Sequence, residues 1–118
     1  MLERYQEYSE RLEGDYSDDF WSDVQIGMAI GVLKKFLQDD WVSLSRSWRT
    51  QSRSWKMRCA QTLDDGLTNQ GFAILLAMAR DTDEELVMTA LESLTSFPAS
   101  PEVAAIRRKW KPDIQGAA

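Results

Sequence analysis

Carboxylates recur in this chain as close pairs, a residue type that can hold a divalent cation or divide acid and base duties between two groups. They are Asp18-Asp19, Asp39-Asp40, Asp64-Asp65 and the run Asp81-Thr82-Asp83-Glu84-Glu85. Histidine is absent, so no Ser–His or Cys–His nucleophile can form and the commonest neutral-pH base and metal ligand is missing. The run from Asp81 lacks the glycine and distal glutamate of a calcium loop. The glycines are scattered and make no phosphate-cradling loop. Each acidic pair also stands where a helix should start or stop, and there capping and the helix dipole account for it. The sequence therefore predicts no enzyme, with no catalytic residue, no cofactor and no metal. Asp39, Asp40, Asp64, Asp65, Asp81 and Asp83 are expected to form an acidic ridge that meets a partner.

Two further features invite a chemical reading. The lone Cys59 cannot form an internal disulfide and is read as a small buried residue. Ser45-Arg46-Ser47-Trp48 is echoed by Ser52-Arg53-Ser54-Trp55, with Arg49 between them. Arginine beside tryptophan serves both base stacking and protein hot spots. Trp55 is expected in the core and Trp48 is the better candidate for exposure. A solvated corner whose arginine stems cover the indoles is the favoured reading; Trp48 and Arg49 join the candidate partner-binding residues as the other.

Charge narrows the classes of partner. The net charge is −5, yet residues 41–63 hold five bases (Arg46, Arg49, Arg53, Lys56, Arg58) and no acid. An acidic chain lacks the basic field that phosphate neutralisation needs, so nucleic acid is a poor general partner and the central island is a local exception. The N-terminus is charged and lacks the apolar core of a secretory signal. The longest apolar stretch, Ile26 to Leu37, is too short to span a bilayer and is broken by Lys34 and Lys35. A cytoplasmic protein with no membrane partner is the expectation.

These residues are positioned by helices. Leu2, Tyr5, Ser9 and Leu12 follow a helical stripe that stops at Gly14. Ser17 caps a helix that should run from Phe20 to Leu37, apolar on most sides and so packed between neighbours. Its Gly27 and Gly31, four apart, are read as sites of close helix packing. Asp39-Asp40 starts a short helix through Trp48. Ser52 opens a helix to Leu63, and Thr68 or Asn69 caps one from Phe72 to Ala79. Thr82 with Glu85 reads as a capping box ahead of Leu86 to Leu94. Ser100-Pro101-Glu102 starts the last helix, which ends near Trp110 before Pro112. No segment alternates as a strand does.

The apolar residues repeat at 31 residues. Trp55, Met57, Cys59, Ala60 and Leu63 align with Leu86, Met88, Ala90, Leu91 and Leu94, and backwards with Val24, Ile26, Met28, Ala29 and Val32. Trp41, Leu44 and Trp48 likewise fall on Phe72, Leu75 and Ala79, then on Val103, Ile106 and Trp110. A period of this length means stacked supersecondary units. The fold expected is all-α: a helix over 1–14, then three helical hairpins over about 17–50, 51–80 and 81–111, with a tail at 112–118, all in one domain.

Across residues 52–96 the chain resembles HEAT repeats. Arg58-Cys59-Ala60 matches the family's Arg-x-Ala, Leu75 its following leucine, and Asp81-Thr82-Asp83 with Leu86 its Asp-x-Asp-x-x-Val. Leu86 replaces the valine, and the first repeat lacks both the arginine and the Asp-x-Asp. The resemblance implies a short right-handed α-solenoid and no particular activity. Small, acidic, single-domain chains without catalytic residues are also similar in kind to bacterial immunity proteins, some of them HEAT-like, which occlude a cognate toxin. That likeness implies an inhibitor that is monomeric before binding and docks on a single, basic protein. A HEAT-like scaffold or adaptor subunit is the alternative reading, and a nucleic-acid-binding helical-repeat protein a lesser one.

Overall fold

The computed structural model describes residues 3–110. Leu2 of the first stripe, residue 111 of the third hairpin, and the tail at 112–118 with Pro112 lie outside the described residues.

Among the described residues the chain is all helix, with no strand. Helix α1 is Glu3–Glu13, and α2 spans 18–33 as one continuous helix interrupted by a π-helical turn at Trp21–Gln25. Then follow α3 (Gln38–Ser47), α4 (Arg53–Thr62), α5 (Asn69–Met78), α6 (Glu84–Leu94) and α7 (Pro101–Trp110). Short polar side chains open several of them by taking an orphan backbone N–H. Ser17 accepts from Phe20, Ser52 from Trp55, Thr68 from Gly71 and Ser100 from Val103. The cap of α6 is Asp83, not Thr82: its carboxylate accepts from the Glu85 and Leu86 N–H groups. A carboxylate already suits a helix N-terminus, and Asp81 accepts from the Asp83 N–H, fixing the turn one residue later than a Thr82–Glu85 box requires.

The 31-residue period is physical adjacency between α4 and α6. Arg53 pairs with Asp83 and Glu85, Met57 receives the Thr89 hydroxyl, Ser93 donates to the Ala60 carbonyl, and Ser96 to Asp64. Partners rise together along both helices, so α4 and α6 run parallel, side by side. Trp55, Cys59, Ala60 and Leu63 are buried with Leu86, Ala90, Leu91 and Leu94, and α5 packs on α6. At the α4–α5 junction a Cβ on Gly71 would strike the Leu63 carbonyl oxygen, so only glycine lets α5 start this close to the end of α4.

The period fails at its first members. Val24 (45 % exposed) and Met28 (49 %) were expected in the core beside Ala29 and Val32, and both face outward. The π-helical turn carries an extra residue per turn, which rotates Trp21 inward and displaces the stripe that follows. Helix α2 also ends at Leu33, and Leu37 is exposed ahead of α3. The long helix is therefore buried on one side only, through Trp21, Ala29, Val32 and Leu33. Among the described residues Gly27 and Gly31 pack against no neighbour: none lies within 4 Å of where a Cβ would stand on either.

Helix α1 packs on α2, α3 and α4. Tyr8 and Leu12 are fully buried. The Tyr8 hydroxyl bonds Thr62 Oγ1 at 2.6 Å and Cys59 Sγ at 3.3 Å, and its ring meets Phe36 and Trp55 edge-on. Trp55 donates its indole N–H to Ser9, and the Tyr5 hydroxyl bonds Ser47.

Candidate functional site

Most of the residues expected to meet a partner are committed within the fold. Asp40 is 1 % exposed, whereas the ridge needs it in solvent. Its two oxygens accept from the Leu37 N–H (2.9 Å) and the Tyr5 N–H (3.1 Å), so one carboxylate caps α3 and ties down the first turn of α1. Trp48, the candidate for exposure, is 2 % exposed. It follows the repeat register into the core, and the exposed Arg49 lies over its ring at 4.6 Å with Lys56 at 5.9 Å. The Arg–Trp48 corner is thus a covered indole rather than a free hot spot.

The remaining acids divide. Asp39 is exposed on the first turn of α3, and Asp65 is half-buried in the turn Asp65–Leu67 beyond α4. Asp81 is held by the Asp83 N–H. Asp83 faces Arg53 at 2.7 Å, and this guanidinium holds its carboxyl below the ordinary carboxylate range, while the same contact raises Arg53. Asp64 accepts from Ser96. Of the predicted acids, Asp64 and Asp83 therefore stand along the α4–α6 seam; Asp39 and Asp40 belong to α3.

That seam belongs to a larger face. Trp21 of α2 donates its indole N–H to Gln61 of α4 at 2.6 Å, and Ile26 shares a hollow with Gln61 and Asp64. Asp18, Asp19 and Ser22 share another with Arg53, Met57 and Arg58. Moving along α2 moves along α4 in the same direction, so α2, α4 and α6 present three parallel helices to one side. Three neighbouring hollows follow the two seams and share Arg53, Met57, Gln61, Thr89 and Glu85 as common walls. They are lined by the carboxylates of Asp18, Asp19, Asp64, Asp83, Glu84, Glu85 and Glu92.

Two guanidinium groups line the same hollows, and both are engaged. Arg53 is spent on Asp83 and Glu85. Arg58 donates to the Leu12 and Gly14 carbonyls at 2.8 and 2.6 Å and to Tyr16 at 3.3 Å, stacked over the Tyr16 and Trp21 rings. It staples the α1–α2 turn to α4. The excess of carboxylates over these two guanidinium groups sets the sign of the face, and Met57, Met88 and Ile26 supply its apolar floor.

Sequence reasoning marked Asp18-Asp19 as a pair and Glu84-Glu85 within the run from Asp81 but placed none of the four in the partner surface, and it missed Glu92. For Glu92 the signal was the 31-residue step that sets it beside Gln61, whereas Asp18 and Asp19 are brought in by the docking of α2 on α4. Cys59 is fully buried as expected, and burial pushes its thiol up to about 12 despite the Tyr8 hydroxyl nearby. No group of three His, Cys, Asp or Glu side chains among the described residues gathers as a metal would require. No described helix is long and apolar enough to cross a membrane. No family model matches the chain, and no curated protein or solved structure matches it.

Proposed function

We propose that this chain is a non-catalytic protein-binding module that docks the α2–α4–α6 face on one basic partner, in the manner of an immunity-type inhibitor neutralising a cognate toxin. One observation carries the reading: seven carboxylates line contiguous hollows against two arginines, Arg53 paired with Asp83 and Glu85 and Arg58 held on backbone carbonyls, so acid stays in excess over base there. Such a face attracts a cationic surface and steers its approach, while its methionines can adapt to what arrives. It is preformed, because the seams are fixed by backbone-anchored contacts such as Ser93 to Ala60, so little ordering entropy opposes docking.

The finer architecture belongs to the same proposal. Residues 53–110 are a HEAT-like pair of hairpins at the end of a short right-handed solenoid, and 17–50 is a degenerate first repeat whose place against the array is taken by α1. The parallel α4–α6 contacts at 30 to 33 residues support this. The central basic island gives nucleic acid little to hold: Arg53 and Arg58 are engaged, and Arg49 and Lys56 lie against Trp48. A native pull-down with the whole chain tests the class. One protein in a one-to-one complex is the expected result; a set of several proteins would make the chain an adaptor instead, and salt-sensitive retention of DNA or RNA alone would overturn the reading.

A further inference from the structure

The outer side of α2 carries a stripe that the described residues leave largely uncovered, with Tyr16 against Phe20 at its start. Phe20, Val24 and Met28 are 45–49 % exposed, and they follow one another at four-residue spacing. Gly27 and Gly31 lie in the same stripe with open space over both. Four of the five large apolar side chains that the described residues leave exposed fall in the segment from Phe20 to Leu37. Charge is arranged along the stripe with a polarity. Asp23 stands at its start and Lys34 at its end, about three helical turns on and so on the same flank. Neither makes an ion pair within the described residues.

We propose that this face is covered by a second copy of the chain, with α2 packed antiparallel on α2 about a two-fold axis near Gly27 and Met28. The arrangement is self-complementary, as a closed two-fold interface requires. Reversing the helix about that centre lays Val24 over Gly31 of the partner subunit and Met28 over Gly27 of the partner subunit, large on small, so the helices approach closely. The same reversal brings Asp23 to the partner's Lys34 on each flank, and Phe20 closes both ends of the stripe. A parallel pairing would instead set Asp23 on Asp23 and Lys34 on Lys34. On α2 the hollows towards α4 and α6 are lined by Asp18, Asp19, Trp21, Ser22 and Ile26, none of them in the stripe, so the dimer leaves the proposed partner face open.

Sedimentation equilibrium of the whole chain, from micromolar to millimolar and at low and high salt, tests this. The expected result is a two-chain mass that dissociates on dilution. Gly27→Leu should give a single-chain mass with unchanged circular dichroism, since the added side chain meets no neighbour among the described residues. Asp23→Lys and Lys34→Glu should each weaken the dimer by about tenfold or more, and the two together should restore it. A single-chain mass for the native protein throughout the range overturns the proposal and leaves the stripe to a different protein. A double variant as weak as either single one overturns the antiparallel pairing.

Discussion

Asp39 and Asp40 are adjacent and chemically identical, and the fold gives them opposite work. Asp39 is solvated on the first turn of α3; Asp40 is buried with both oxygens on backbone N–H groups of different helices. Replacing Asp40 by alanine leaves two N–H groups in the interior without an acceptor, and should cost about 2–4 kcal/mol of stability in denaturant titration. Asp39→Ala should change it by about 0.5 kcal/mol or less. Equal effects would mean that Asp40 is not the clasp between α1 and α3. Cys59 offers a second contrast between residue type and environment. With its thiol pushed up to about 12 by burial, the thiolate fraction at pH 7 is on the order of 10⁻⁵. A thiol reagent should therefore label the native protein only as fast as it unfolds, and prompt stoichiometric labelling would contradict the buried Tyr8–Cys59–Thr62 cluster.

Helices show which glycines matter. Gly71 sits under the Leu63 carbonyl, whereas Gly27 meets no neighbour among the described residues. Gly71→Ala should destabilise by about 1–3 kcal/mol, since the obstacle is backbone that cannot swing aside. Gly27→Ala, measured in dilute solution, should instead stabilise by about 0.5–1 kcal/mol through helix propensity. A fall in melting temperature for both would place Gly27 in an interior contact. The caps at Ser17, Ser52, Thr68 and Ser100 and the α4–α6 register were legible in the sequence, because each rests on local chemistry or on a strong apolar period. The side of α2 that faces solvent was not. Its apolar residues fit a buried helix on every side, and neither the π-helical turn nor the docking of α1 leaves a mark in periodicity. The same blindness sent Trp48 to the surface, although the repeat register already paired it with Ala79 and Trp110. Asp40 was misplaced for another reason: a capping acid and a surface acid read alike until the second helix supplies the N–H it accepts.

At the scale of the whole molecule, sequence reading found an acidic character and its concentration near helix ends, and the fold decides which ends converge. The three parallel helices α2, α4 and α6 gather Asp18, Asp19, Asp64, Glu84, Glu85 and Glu92 along two seams, and leave Asp39 on α3. On the proposed function, this face, and not the chain's net charge, selects the partner. Glu84 and Glu92 are exposed on α6 and make no ion pair within the described residues, so reversing them alters the face without disturbing the seams. The most direct measurement is capture from a native lysate by the immobilised chain, comparing the native protein with Glu84→Lys/Glu92→Lys and with Glu10→Lys/Asp39→Lys, which shifts the net charge equally but off the face, all three checked for unchanged circular dichroism. Glu84→Lys/Glu92→Lys should retain the partner at least about tenfold less well, while Glu10→Lys/Asp39→Lys should retain it fully. Native-level capture by Glu84→Lys/Glu92→Lys would contradict selection by this face.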